Sequence, residues 1–193
     1  ESVQNKDWIN CPDFTYWKLP LLELAGKTLG ILGYGNIGSK VAEIAKAFGM
    51  NVICNTRTPK ENMPPLVSFE ELLKQSDFLS LHAPLTEKTK NIINKDSLSL
   101  MKKSAYLINT ARGGFVVEDD LAKALKENQI AGYAADVVTE EPMSKNSPLL
   151  GIKNCIITPH IAWAPLETRK RLQGIAYENL KAWINHNPQN VVN

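Results

Sequence analysis

The stretch TLGILGYGNIGSKVAEIAKAFG constrains what this chain can fold into more than any other. A short apolar run, Thr28 to Gly33, leads into Gly33-x-Gly35-x-x-Gly38. Ile37, Val41, Ile44, Ala45 and Phe48 then recur at helical spacing, and Gly49 stands where a helix C-terminal glycine belongs. The order strand, tight turn, helix predicts the opening of a βαβ unit. Each glycine has a stated use there: Gly33 permits the turn, Gly35 lets backbone approach a pyrophosphate, and Gly38 lets the helix pack closely on the strand. Asn36 and Ile37 fall between them on the first helical turn, where free N–H groups and the helix dipole attract an anion. An ordinary strand–helix turn would show the same glycines, and the flanking strand and helix are what favour a dinucleotide site.

The rest of the chain repeats the alternation. Strands are expected at NVICN (51–55), DFLSLH (77–82), AYLINT (105–110), IAGYAAD (130–136) and NCIIT (154–158). Ser68 and Glu71 form an S-x-x-E capping box at the head of a short helix, and VEDDLAKALKEN reads as another. Six strands alternating with helices predict an α/β, doubly wound parallel sheet, the Rossmann fold. The ends differ from this core. Residues 1–20 carry Trp8, Phe14, Tyr16 and Trp17 without a period and read as an arm or interdomain connection that another surface must cover. Residues 21–163 form the dinucleotide-binding unit. Residues 164–193 hold a long amphipathic helix after Pro165, with Leu166, Leu172, Ile175, Ala176, Leu180 and Trp183 on one face, and a tail.

Composition narrows the partners. With 193 residues, 44% of them hydrophobic, the chain is long enough to bury a core, and 22 basic against 20 acidic side chains give no reason to expect nucleic acid or an anionic membrane. Three scattered cysteines form no C-x-x-C, so neither a disulfide framework nor a metal site is expected, and a reducing, cytoplasmic setting fits. No apolar run is long enough to span a membrane.

At the end of the second strand a nucleotide-binding fold of the NAD type places an acid that accepts hydrogen bonds from the adenine ribose. This chain has Asn55-Thr56-Arg57-Thr58 instead. A carboxylate would repel a 2′-phosphate, whereas the Thr56 hydroxyl and the Arg57 guanidinium can bind one. NADP(H) is therefore favoured, with NAD(H) possible if Arg57 is only a solvated loop residue.

Farther on, Arg112, Glu141 and His160 each follow a predicted strand end, separated by 29 and 19 residues, so all three can gather at the carboxyl edge of the sheet. The segments that carry them, NTARGG, AADVVTEEP and ITPHIAW, closely resemble the signature of the D-isomer-specific 2-hydroxyacid dehydrogenases. LGILGYGNIGSKVAEIAKAFGM and LHAPLTEKTKNIIN resemble the same family's cofactor segments, and HIAWAP is most similar to its glycerate dehydrogenase/hydroxypyruvate reductase branch.

The resemblance implies hydride transfer between a nicotinamide and a small 2-oxo or 2-hydroxy acid, either hydroxypyruvate/D-glycerate or glyoxylate/glycolate. His160 would move the proton, Glu141 would hold the imidazole and raise its pKa, and Arg112 would bind the substrate carboxylate. It also implies Thr110 and Ala111 beneath the nicotinamide ring, Asp136 at its carboxamide and Pro84 in the cofactor groove, although Pro84 also suits an ordinary strand-end loop beside His82. Trp163 matches a position near the reacting centre and would serve equally as a packing residue. The family has a second, substrate domain, whose first half would precede residue 1. The final helix is expected to return to that domain, the arm to support a homodimer, and the chain as given to bind cofactor and to turn over weakly or not at all. The competing reading from another class is a dinucleotide-sensing, corepressor-like regulator without turnover.

Overall fold

The computed structural model describes residues 1–18 and 20–192. Leu19, inside the expected arm, and Asn193, at the end of the expected tail, lie outside the described residues. Six strands form one parallel sheet: β1 (Thr28–Leu32), β2 (Asn51–Asn55), β3 (Phe78–Leu81), β4 (Tyr106–Asn109), β5 (Gly132–Ala135) and β6 (Cys155–Ile157). Their order is β2-β1-β3-β4-β5-β6, and every neighbouring pair runs parallel. The chain leaves β1 for β2 on one side and returns to β3 on the other, which makes the carboxyl ends of β1 and β3 the switch point where such sheets open a crevice.

Helices cover both faces because alternate strand residues point to opposite sides. Leu29 and Ile31 turn to α1 (Asn36–Ala47) and pack with its Ala42 and Ala45 and with Val52 of β2. Leu32, Leu79, Leu81 and Leu107 turn to the other side. There they meet Leu72 and Leu73 of α2 (Phe69–Gln75), Leu98 of α3 (Lys95–Leu100) and Leu121 and Leu125 of α4 (Glu118–Lys126). The doubly wound expectation holds; β2 matches its expected run, and the other strands are shorter than theirs.

The expected capping box is present: the Ser68 hydroxyl accepts from the Glu71 amide, and the Glu71 carboxylate accepts from the Ser68 amide. Helix α3 is an addition to the sequence reading. Six residues give too short a window for helical periodicity, and its cap is Asn94 with Ser97 rather than the S-x-x-E pair.

At the ends, residues 1–18 run as turns and bends, with Trp8, Phe14 and Trp17 exposed. Helix α5 (Leu166–Ile184) forms as expected after Pro165, yet none of its nineteen residues is buried, and Leu172, Ile175 and Trp183 lie open. No helix among the described residues is long and apolar enough to cross a membrane.

Leu107 sits at the centre of this packing on β4 with no exposed surface. Leu107→Ala is expected to destabilise the fold by about 2–5 kcal/mol, the usual cost of a buried leucine truncation, as a shift in the urea midpoint at unchanged slope.

Candidate functional site

Two clefts open along the carboxyl edge. One, of about 510 Å³, lies at the switch point and is lined by Gly33, Gly35, Thr56, Arg57, His82 and Pro84, among others. The turn that floors it uses glycine for physical reasons. Gly33 has φ of +94°, and a Cβ there would stand 2.4 Å from the Ala83 amide nitrogen, so β1 and the loop after β3 could not approach. A Cβ on Gly38 would meet the Gly33 carbonyl at 2.2 Å, which is the close helix–strand packing the sequence implied. A Cβ on Gly35 would point into open space, leaving the backbone facing the cleft. No side chain caps α1 at Gly35, so the first-turn amides of Asn36, Ile37 and Gly38 are left for an anion. The side chain of Ile37 is exposed. These features fit a dinucleotide pyrophosphate.

At the far side of this cleft Thr56, Arg57 and Thr58 follow β2, and Lys60 and Lys88 line the same space, two cations the motif reading did not single out. His82 Nε2 lies 2.8 Å from the Ser80 hydroxyl, and burial pulls its pKa below the usual histidine range. It is a neutral wall residue.

The second cleft, about 740 Å³, lies beyond the ends of β5 and β6, with Asp136, Glu141 and His160 at its rim above an apolar floor that includes Met143, Leu149 and Ile157. Glu141 and His160, nineteen residues apart, meet here: Nδ1 of His160 is 2.7 Å from Oε2 of Glu141. The Glu141 carboxyl is held below its ordinary pKa, first by the His160 hydrogen bond and then by the Val138 amide donating to Oε1 at 3.1 Å, with the Arg112 charge contributing. The loop bearing Glu141 is tethered in turn by Glu118 at the head of α4, which accepts from the Thr139 amide at 2.7 Å.

Arg112 enters from the loop after β4. Asn109, fully buried, shapes that loop: its amide nitrogen donates to the Arg112 carbonyl at 2.9 Å and its oxygen accepts from the Ala111 amide at 3.1 Å. The Arg112 guanidinium donates back to the Ala111 carbonyl at 2.7 Å. Gly113 lies against Val138, where a Cβ would approach backbone atoms to 2.0 Å, so the Arg112 loop and the Glu141 loop are seated on each other. Asn109 escaped the sequence reading. Its signal was an amide side chain at a strand's end before a polar turn, a residue type that bonds nearby backbone. Thr110 is exposed and Ala111 half-buried beside it.

Asp136 closes β5 and is 5% exposed. Burial alone would raise its pKa, but hydrogen bonds from the Thr158 hydroxyl and the Ala162 and Ile161 amides, and the charge of His160, bring it below the ordinary 3.8. His160 stands in the left-handed region with φ of 53°, a conformation that costs on the order of 1–3 kcal/mol in a non-glycine residue and is kept only where its surroundings enforce it. Trp163, half exposed, donates from Nε1 to the His160 carbonyl at 2.8 Å. Among the described residues no group of His, Cys, Asp and Glu is placed to hold a metal.

A carboxyl with a depressed folded pKa contributes stability that is fully present above its unfolded value and is lost as pH falls through the folded one. Asp136→Asn is therefore expected to lower stability by a constant amount above about pH 5, an amount that shrinks as pH falls through 3.8 and below. Denaturant melts of both proteins across that range check the sign.

Comparison with known proteins follows the same lines. Residues 1–162 match the family described as D-isomer specific 2-hydroxyacid dehydrogenase, NAD binding domain. A hydroxypyruvate reductase of Blautia hydrogenotrophica is 45% identical over all of this chain, which spans 61% of that relative's length. Among solved structures, a D-isomer specific 2-hydroxyacid dehydrogenase of Lactobacillus delbrueckii ssp. bulgaricus in its NAD-complexed form is similar at TM-score 0.84 and 31% identity, covering 98% of this chain and 63% of its own. An acyclic imino acid reductase in complex with NADPH and D-Arg is similar at TM-score 0.86 and 35% identity, covering 99% and 62%.

Proposed function

Because this chain belongs to the D-isomer specific 2-hydroxyacid dehydrogenases, through their NAD-binding domain, we propose that it is the cofactor-binding and proton-transfer part of an oxidoreductase acting on hydroxypyruvate/D-glycerate or glyoxylate/glycolate. The observation that carries this is the 2.7 Å pairing of His160 with Glu141 at the sheet edge that also bears Arg112.

A bound nicotinamide dinucleotide supplies or takes up the hydride. Gly33, Gly35 and Gly38 would shape its turn, the free amides of Asn36 and Ile37 would hold the pyrophosphate, Pro84 would wall the groove, and Thr110 and Ala111 would support the nicotinamide end. As a 2-oxo carbon is reduced, negative charge gathers on its oxygen, and a proton donor and a cation there lower the barrier. With Nδ1 directed at the Glu141 carboxylate, Nε2 of His160 is the nitrogen left to hold and deliver the proton. The Arg112 guanidinium binds the substrate carboxylate through its planar fork. In the opposite direction His160 accepts the hydroxyl proton.

We read the cofactor as NADP(H). The two solved relatives are described with NAD in one case and NADPH in the other, so the fold admits both, and the loop after β2 decides. Thr56, Arg57, Thr58 and Lys60 line the cleft there with no carboxylate among them, which suits a 2′-phosphate. We place residues 1–20 as a dimerising arm, 21–163 as the cofactor domain and 164–193 as the segment packing on a substrate domain. The exposed aromatic side chains of the arm and the bare α5 support that organisation. Three free cysteines suit a cytoplasmic setting. Nothing in the comparisons favours a non-catalytic regulator.

Fluorescence titration at fixed salt tests the cofactor. NADPH is expected to bind at least about tenfold tighter than NADH, a preference of roughly 1.4 kcal/mol, and Arg57→Ala to abolish it. Equal affinities unchanged by the substitution would leave Arg57 a solvated residue. In the full-length protein, His160→Ala is expected to lower hydroxypyruvate reduction by a factor on the order of 10²–10⁴, the usual worth of a positioned proton donor.

A further inference from the structure

Asp136 receives three hydrogen bonds, and all three come from one short turn. Its Oδ1 accepts from the Thr158 hydroxyl at 2.5 Å and the Ile161 amide at 2.9 Å, and its Oδ2 accepts from the Ala162 amide at 2.8 Å. The donors bracket His160, two residues before it and one and two after. Between them His160 holds its left-handed backbone without a glycine to relieve it. The Thr158 amide also donates to Ala135, the residue before Asp136, at 2.9 Å, so the turn is tied to the end of β5 from two sides.

Besides those ties, the turn is held by the Trp163 indole N–H on the His160 carbonyl, the His160 amide on the Thr158 carbonyl, the Ala164 amide on the Ile161 carbonyl and a long Thr158 hydroxyl bond to Ala135, of which only the last reaches outside the turn. The His160–Glu141 bond by itself is a pairing of two partly exposed side chains. Such a pair does not hold backbone in an unfavourable conformation. The carboxylate, by contrast, is 5% exposed, where each hydrogen bond must be kept because water does not replace it.

We propose that Asp136 is the positioning residue of the proton-transfer histidine. By gripping both flanks of the turn after β6, it sets the imidazole in register with Glu141 and so fixes where Nε2 stands relative to the substrate. This rests on the reading of His160 as the proton carrier. It leaves room for the contact that the family resemblance implies for Asp136, since three of the carboxylate's roughly four acceptor positions are spent on the turn and one is left.

The test uses the full-length protein with Asp136→Asn and Thr158→Val, each compared with wild type in three readouts. These are affinity for NADPH, kcat against KM for hydroxypyruvate, and the downfield imidazole N–H proton resonance of the His160–Glu141 pair. Asp136→Asn is expected to lose the N–H resonance. Its kcat is expected to fall on the order of 100-fold, the cost of misplacing a catalytic group by about 1 Å.

Thr158→Val removes one donor and keeps both amides, and is expected to move kcat and the resonance the same way by a smaller factor. Retention of both kcat and the resonance in Asp136→Asn overturns the proposal. So does a tenfold or greater loss of NADPH affinity with the resonance retained, which would make Asp136 a cofactor contact and not a positioning residue. If Asp136→Asn does not fold, Thr158→Val decides by the same criteria. A wild-type protein without turnover would refute the proton-carrier reading, and the resonance would still report whether Asp136 holds the pair.

Discussion

The parallel alignment of six short strands is the constraint on which the rest of this chain depends. Parallel neighbours cannot be joined by a tight hairpin, so each connection crosses over a face of the sheet and brings the chain back to the same starting edge. Every strand then ends at the opposite edge. The glycine turn, the NTRT loop, the segment after β3, the Arg112 loop, the Glu141 loop and the His160 turn are six consecutive strand exits. Residues separated by dozens of positions are neighbours there because the topology leaves them nowhere else to be.

Two close approaches keep those exits in register. At Gly33 the backbone of β1 comes so near the loop after β3 that no side chain fits, and at Gly113 the Arg112 loop rests on the backbone of Val138 in the Glu141 loop. Each contact locks one exit to its neighbour along the sheet. The buried Asn109 and Asp136 act in the same sense with polar groups, since both spend their side-chain hydrogen bonds on loop backbone at a strand's carboxyl end. Side chains at a strand's exit thus decide the shape of the loop that follows, while the exposed loop residues are left to meet ligand.

What the sequence disclosed and what it withheld follow from the range of the interactions concerned. The glycine turn and the apolar runs of the strands depend on local backbone and burial, and they were legible. So was the convergence of Arg112, Glu141 and His160, because strand alternation places exits without needing distances. Most strand ends were read too long: Asp77, His82 and Asp136 continue the extended run and each makes a backbone hydrogen bond to a terminal residue of a neighbouring strand, yet they lie just outside the ladder. Helix α3 was too short for a period to register. The grip of Asp136 on the His160 turn links residues 22 to 26 positions apart, and no pattern within either segment announces it.

The energetics of the site explain why such a grip is needed. His160 and Glu141 have side chains 41% and 36% exposed, and pairs of that kind are typically worth 0–1 kcal/mol to stability. That is too little to select one backbone conformation, and less than the on the order of 1–3 kcal/mol that a left-handed non-glycine residue can cost. Exposure is nonetheless what the proposed proton transfer by His160 requires, because its free nitrogen must reach substrate. The chain separates the two demands. The groups proposed to react stay at the surface, where they interact weakly with one another, and on this reading their placement is set one layer deeper by buried polar groups whose hydrogen bonds are costly to lose. Asp136 beneath His160 and Asn109 beneath Arg112 are that layer, and each belongs to the strand that delivers its neighbour to the edge or to the strand beside it.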